Sequence, residues 1–345
     1  MQRVTRKCFE LLTASLLAVI IMGVEISLPA QETDLSLHDP STLVKQGRTY
    51  WVFSTGRGCR SFSSLDRVHW TARGSVFPTP PAWIKASVPS NKGNYLWAPD
   101  VRLVRGKYYL YYAASSFGSN TSAIGLATSK SLDPPAWTDQ GMVIQSGVHN
   151  NYNAIDPCVI QSPDGKLWLG FGSFWSGIKL VQMDPKTGMR ISPNSPLYAL
   201  ADHPQERNHA IEAPFIHYRK GYYYLFVNWD YCCRGDQSTY NIRVGRSRRI
   251  TGPYLDREGV DMLHGGGTLL LDSGSSSAAK GNAVRVGPGH AGILSEHGID
   301  RFSFHYEYNG QRESKSWFEV GTVDWGSDGW PRIVLPHEAA SPTGT

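Results

Sequence analysis

Polar and apolar residues alternate along this chain in short runs, and the runs recur. Ala210-Ile211-Glu212-Ala213-Pro214-Phe215-Ile216-His217-Tyr218 leads into the polar turn Arg219-Lys220-Gly221 and then the aromatic run Tyr222-Tyr223-Tyr224-Leu225-Phe226-Val227. Two runs of strand length about a glycine turn predict a β-hairpin. Glu212 stands at its mouth. Three earlier stretches share the design: His38-Asp39-Pro40 to Phe53, Trp97-Ala98-Pro99-Asp100 to Tyr112, and Ile155-Asp156-Pro157-Cys158 to Phe171.

Aligned on Pro40, Pro99, Pro157 and Pro214, the copies are 59, 58 and 57 residues apart. A period of that length marks a repeat architecture. Each unit continues into a third strand, as at Ala123–Ser129 and Tyr240–Ser247, and then a further segment such as Trp70-Thr71 or Trp137-Thr138. Several short strands per unit, with almost no helical periodicity, predict an all-β fold, a five-bladed β-propeller. The fifth blade is expected near Gly287-Pro288-Gly289-His290, 74 residues after Pro214, continuing through Phe302–Tyr308 to Trp317–Gly321. The surplus falls in Gly265–Gly267 and the serine-rich stretch Asp272–Gly281. A β-sandwich is the competing architecture, and the near-constant spacing weighs against it.

Residues 1–30 are set apart, because Arg3, Arg6 and Lys7 precede an apolar run from Leu11 to Val24 and small residues follow it. That is the pattern of a secretory signal. The run is shorter than the ~20 apolar residues that span a bilayer, which disfavours an uncleaved anchor. Residues 31–345 are then a single propeller domain. Loss of the leader lowers the net charge from +5 to +4, and without a basic stripe the chain is not expected to bind nucleic acid. A secreted or periplasmic monomer, free of the membrane once mature, is expected. Cys59, Cys158, Cys232 and Cys233 remain in an oxidising compartment, and four thiols permit three complete pairings, a vicinal Cys232–Cys233 bridge among the possibilities. No spaced Cys-x-x-Cys pair points to zinc.

In a propeller the innermost strands line one channel, so equivalent repeat positions converge. Asp39 and Asp156 directly precede their prolines, and Glu212 lies two before Pro214. Three acids among apolar neighbours such as Leu37, Ile155 and Ile211 predict at least one raised pKa, from desolvation and mutual repulsion. Each alone would suit a turn cap; three together would suit a calcium or magnesium site. They also suit glycosidic cleavage, which needs one protonated carboxyl and one carboxylate. Trp97 and Phe117 are candidate faces for stacking sugar rings.

These segments resemble the family-43 glycoside hydrolases, and within them the endo-1,5-α-L-arabinanases, from His38 to about Pro336. The resemblance implies a five-bladed propeller and single displacement with inversion on arabinan or its oligosaccharides, with internal α-1,5 bonds cut. It implies Asp39 as general base, Glu212 as general acid and Asp156 as the residue that orients Glu212 and tunes its pKa. Acid and base would stand ~6.5–9.5 Å apart, leaving room for a water. Asn153, in the segment of the third acid, is implied as a substrate contact. Gly287-Pro288-Gly289-His290 is similar to the segment whose histidine helps hold a hydrated cation, usually calcium, on the axis. Asp230-Tyr231-Cys232-Cys233-Arg234-Gly235 and Ser238-Thr239-Tyr240 also fit the arabinanase pattern, and no residues remain for the added sandwich domain of the β-xylosidase members. The motifs of invertase-like propellers do not occur. An exo-acting arabinofuranosidase or arabinan exohydrolase, and a non-catalytic sugar-binding propeller, are the alternatives.

Overall fold

Every predicted hairpin forms, and each is extended outward by two more antiparallel strands. The computed structural model describes residues 33–274, 285–308 and 316–336. Blade 1 comprises Val44–Gln46, Thr49–Ser54, Arg60–Ser64 and Thr71–Ser75. Blade 2 comprises Tyr95–Val104, Lys107–Ala114, Ser122–Ser129 and Thr138–Ser146. Blade 3 is Cys158–Gln161, Leu167–Phe171, Ile178–Met183 and Tyr198–Ala201. Blade 4 is Ile211–Arg219, Tyr222–Trp229, Asn241–Ser247 and Thr268–Leu271. Blade 5 is Arg285–Glu296, Ile299–Tyr308, Ser316–Trp325 and Pro331–Val334. The five sheets are the blades of a β-propeller.

Turn chemistry sets the register. At Lys220-Gly221 both residues have positive φ, 46° and 83°, the conformation of a two-residue hairpin turn whose twist matches the strands it joins. That turn pairs Arg219 with Tyr222 and, further in, Glu212 with Asn228. Burial then follows from the pattern: second strands such as Tyr108 to Ala114 lie between neighbouring blades and are buried throughout.

Adjacent blades are tied near the axis by polar groups as well as by apolar packing. Asp100 Oδ1 accepts the Thr42 N–H at 3.0 Å and its Oδ2 accepts the Val159 N–H at 2.8 Å, joining blade 2 to blades 1 and 3. Cys158 Sγ takes the Ile216 N–H of blade 4. Each of these buried N–H groups would cost ~1–3 kcal/mol if left unpaired. The ring closes through the N-terminal segment, which sequence left open. Ser36 bridges to Trp317, the Phe318 N–H donates to Leu35 O at 2.9 Å, and Leu35 and Leu37 pack with Phe318 and Val320.

The fifth blade departs from the expected spacing. The residue equivalent to the aligned prolines is Ala291, which follows the kinked His290, and not Pro288. The expected signal at residues 1–30, Cys8 and most of the serine-rich stretch lie outside the described residues. No disulfide joins the described cysteines: Cys59, Cys158, Cys232 and Cys233 are all free thiols. No helix among the described residues is long and apolar enough to cross a membrane.

Candidate active site

One backbone feature recurs at the inner end of every blade. Asp39, Ala98, Asp156, Ala213 and His290 have φ of 49°, 36°, 55°, 51° and 60°. Non-glycine residues rarely adopt this region, which clusters at functional sites. In blades 2, 4 and 5 it coincides with a shift of strand register, and such bulges re-aim side chains. The position holds Asp39, Asp156 and His290 in three blades and alanine in the other two. Glu212 therefore precedes its kink, at the position of Trp97 and His38, which accounts for its extra residue of offset from Pro214.

His38, Asp39, Trp97, Asp156, Glu212 and His290 line one cleft of about 960 Å³. Asp39 is held by one hydroxyl and faced by three imidazoles: the Thr55 hydroxyl donates to its Oδ2 at 2.6 Å while accepting the Ala98 N–H at 2.7 Å. Asp39 Oδ1 lies 3.4 Å from His38 Nε2, 3.3 Å from His290 Nδ1 and 3.9 Å from His305 Nδ1. Burial opposes the Asp39 charge, but these imidazoles outweigh it and hold the carboxyl far below the ordinary range. The Asp39 N–H donates to His305 Nδ1 at 3.1 Å, so the ring is neutral with its proton on Nε2; burial and the neighbouring His38 keep its pKa well below the ordinary value. For His38, burial works against the charge, yet Asp39 and Cys233 raise the pKa to about 10.

The other two acids behave oppositely. Glu212 Oε2 accepts from the Ser173 hydroxyl at 2.7 Å and Oε1 from the Tyr240 hydroxyl at 2.9 Å. Burial pushes its pKa up, and these two hydrogen bonds offset only part of that. Burial, and then the charge of Glu212, pushes Asp156 well above the ordinary range. Asp156 Oδ2 accepts the Ala213 N–H at 3.1 Å, fixing the backbone beside Glu212. Two of the three acids are thus raised as expected, and Asp39 is lowered because three histidines face it. Carboxyls with their pKa values pushed apart in one cleft can work as base and acid on one bond.

The remaining candidates also converge. Trp97 and Phe117 pack with their rings tilted by 50° at 5.0 Å between centroids, Phe117 being 84% exposed. Phe174 and Tyr231 pair at 5.9 Å elsewhere on the cleft wall. Asn153 is buried on the cleft lining, and its Oδ1 has no hydrogen-bond partner among the described residues. His290 donates no hydrogen bond from Nδ1 despite its 3.3 Å approach to Asp39, while its N–H is fixed by Asn228 Oδ1 at 3.0 Å.

Thr55, Ser173, Tyr240, His305 and Glu307 are functional candidates that reading the chain did not find. A signal existed for three of them. Thr55 stands 16 residues after Asp39, and Ser173 and Glu307 stand 17 after Asp156 and His290. An offset of 16 or 17 residues from the kink would have picked them out.

Residues 33–331 match the model of the glycosyl hydrolases family 43. An extracellular endo-α-(1→5)-L-arabinanase of Bacillus subtilis (strain 168) is 46% identical over 299 residues, covering 86% of this chain and 87% of its own. An extracellular exo-α-(1→5)-L-arabinofuranosidase of Cellvibrio japonicus is 38% identical over 328 residues, covering 92% and 91%. The solved α-L-arabinanase of Cellvibrio cellulosa complexed with arabinohexaose superposes with a TM-score of 0.79 at 36% identity, over 88% of this chain and 96% of that one. With residues 33–331 matched by the family model and relatives 38–46% identical over most of both chains, the chain belongs to the glycosyl hydrolases of family 43.

Proposed function

We propose that this glycosidase is a secreted, monomeric endo-acting hydrolase of α-1,5-linked arabinan that works with inversion. The single observation that carries the reading is the opposed pair in one open cleft, an Asp39 whose pKa its histidine neighbours lower and a Glu212 whose pKa burial raises. In this reading Asp39 takes the proton of the attacking water, Glu212 protonates the leaving oxygen, and Asp156 positions Glu212 through the Ala213 N–H. Trp97 and Phe117 stack sugar rings on one wall and Asn153 Oδ1 accepts from a sugar hydroxyl. The names of the relatives support arabinan as substrate, and the extracellular ones support secretion.

A hydrated divalent cation fits beside His290. Its buried Nδ1 lacks a hydrogen bond and faces a cavity lined by Asp39 and Asp156, and hard cations such as calcium favour oxygen-rich surroundings. His290 would hold it. When bound, the ion supplies positive charge that favours the ionised form of the nearby carboxylates. The acid/base work remains with Asp39 and Glu212.

The Cellvibrio japonicus relative, named for exo action, favours the second reading, an exo-acting enzyme of the same family. Debranched arabinan decides between them. Endo action lowers viscosity early and yields mixed oligosaccharides; a single short product from the first minutes, with viscosity nearly unchanged, would establish exo action. No hydrolysis of arabinan or xylan would leave a sugar-binding propeller.

The pH profile tests the acid. Because Glu212 must be protonated, kcat/KM falls as pH rises through its pKa. Ser173 and Tyr240 donate to the carboxylate and so lower that pKa. Ser173→Ala and Tyr240→Phe are expected to move the alkaline limb to higher pH, each with the far-UV spectrum unchanged. A limb that stays in place in both variants would assign it to another group.

A further inference from the structure

The cleft carries a second cluster that the acid and base leave unused. His38 Nε2 lies 3.5 Å from Cys233 Sγ, and ligand atoms of His38, Cys232 and Cys233 all fall within 4.8 Å of one another. Neither sulfur is in a disulfide. The loop that bears them is fixed from behind by Glu307, which is 1% exposed. Its Oε1 accepts the Cys233 N–H at 2.5 Å and the Ser238 hydroxyl at 2.8 Å, while its Oε2 has no hydrogen-bond partner among the described residues. Chain order hides the cluster, since the cysteines are adjacent rather than spaced and His38 lies 195 residues away.

We propose that His38, Cys232 and Cys233 bind a thiophilic cation of the zinc class, and that the loaded site shuts off hydrolysis. Two thiolates and an imidazole are soft to borderline donors that select Zn²⁺ over calcium and leave a fourth position for water. The ion takes the neutral imidazole and both thiolates, and the protons these groups carried go to solvent. No electron is transferred. Occupancy touches both halves of the reaction. His38 Nε2 is 3.4 Å from Asp39 Oδ1, and Cys232 Sγ is 4.0 Å from Glu212 Oε1. A cation here draws the Asp39 carboxylate away from the attacking water and fills space that the sugar must enter. The site differs in donor chemistry from the one beside His290.

The shut-off rests on the hydrolase reading; the metal binding does not. The test uses the full chain, reduced with a phosphine, stripped of metal and returned to excess Ca²⁺. It is titrated with Zn²⁺ against a chromophoric indicator while arabinan hydrolysis is followed in parallel. The expected result is one tightly bound Zn²⁺ per chain with loss of hydrolysis, both reversed by a zinc-selective chelator. Cys233→Ser is expected to lose both the binding and the inhibition, each judged against the variant's own zinc-free rate. Failure of the wild type to take up Zn²⁺ while its two cleft thiols react as free would overturn the proposal. So would a Cys233→Ser variant that binds and is inhibited as the wild type is. Absence of hydrolysis before any zinc is added counts instead against the arabinan reading, and the indicator titration then decides the metal site alone.

Discussion

Glu212→Gln is expected to lower turnover of debranched arabinan by about 10²–10⁴-fold, the usual contribution of a positioned general acid. The carboxamide keeps the size of the side chain and still meets the Ser173 and Tyr240 hydroxyls. What it lacks is a proton to give. The loss should therefore depend on the leaving group. An arabinofuranoside of a nitrated phenol departs as a stable anion without protonation, and on it the variant should approach the wild-type rate. Equal loss on both substrates, with the fold retained, would show that Glu212 binds or orients but does not protonate.

The convergence of the three acids on one cleft was legible because a repeat converts distance along the chain into proximity. Four hairpins at a near-constant period were enough to place Asp39, Asp156 and Glu212 on one axis, and burial of the aromatic second strands followed from their composition. The proline alignment worked because the kinked residue directly precedes the proline in four blades. It misplaced the fifth, where Ala291 stands in the proline position and Pro288 is a decoy. Alignment on the proline showed the extra residue of offset at Glu212 but not its cause, the kink at Ala213.

The second layer of the site was harder to see, for a physical reason. Thr55, Ser173, Tyr240 and His305 act through hydrogen bonds to acids in their own or a neighbouring blade. Thr55 and Ser173 share a near-constant offset from the kink, whereas Tyr240 and His305 stand at positions with no such offset to announce them. The direction of the Asp39 pKa was likewise set by His38, His290 and His305, drawn from blades at the two ends of the chain. Closure of the ring brought them together. It rests on the Leu35 and Ser36 contacts with the third strand of blade 5, which no local pattern encodes.

Asp39→Gly is expected to bring arabinan hydrolysis down by a comparable or larger factor, about 10²–10⁴-fold or more, and here the lost activity should be recoverable by a small anion. Glycine suits the left-handed backbone at φ 49°, so the fold should survive without the strain that alanine would bring. The change vacates a space bordered by His38, His290 and the Thr55 hydroxyl. Groups that favoured a carboxylate there will favour azide. Azide attacks the anomeric carbon without a base to take its proton, so added azide should restore cleavage and leave a glycosyl azide of inverted configuration. The wild type should release an inverted sugar as its first product, read by proton NMR in the opening minutes before mutarotation. A retained sugar from the wild type would make Asp39 a nucleophile that forms a covalent intermediate. A retained azide from the variant would move Asp39 to the leaving-group side, and Glu212 would then have to be the nucleophile of a double displacement.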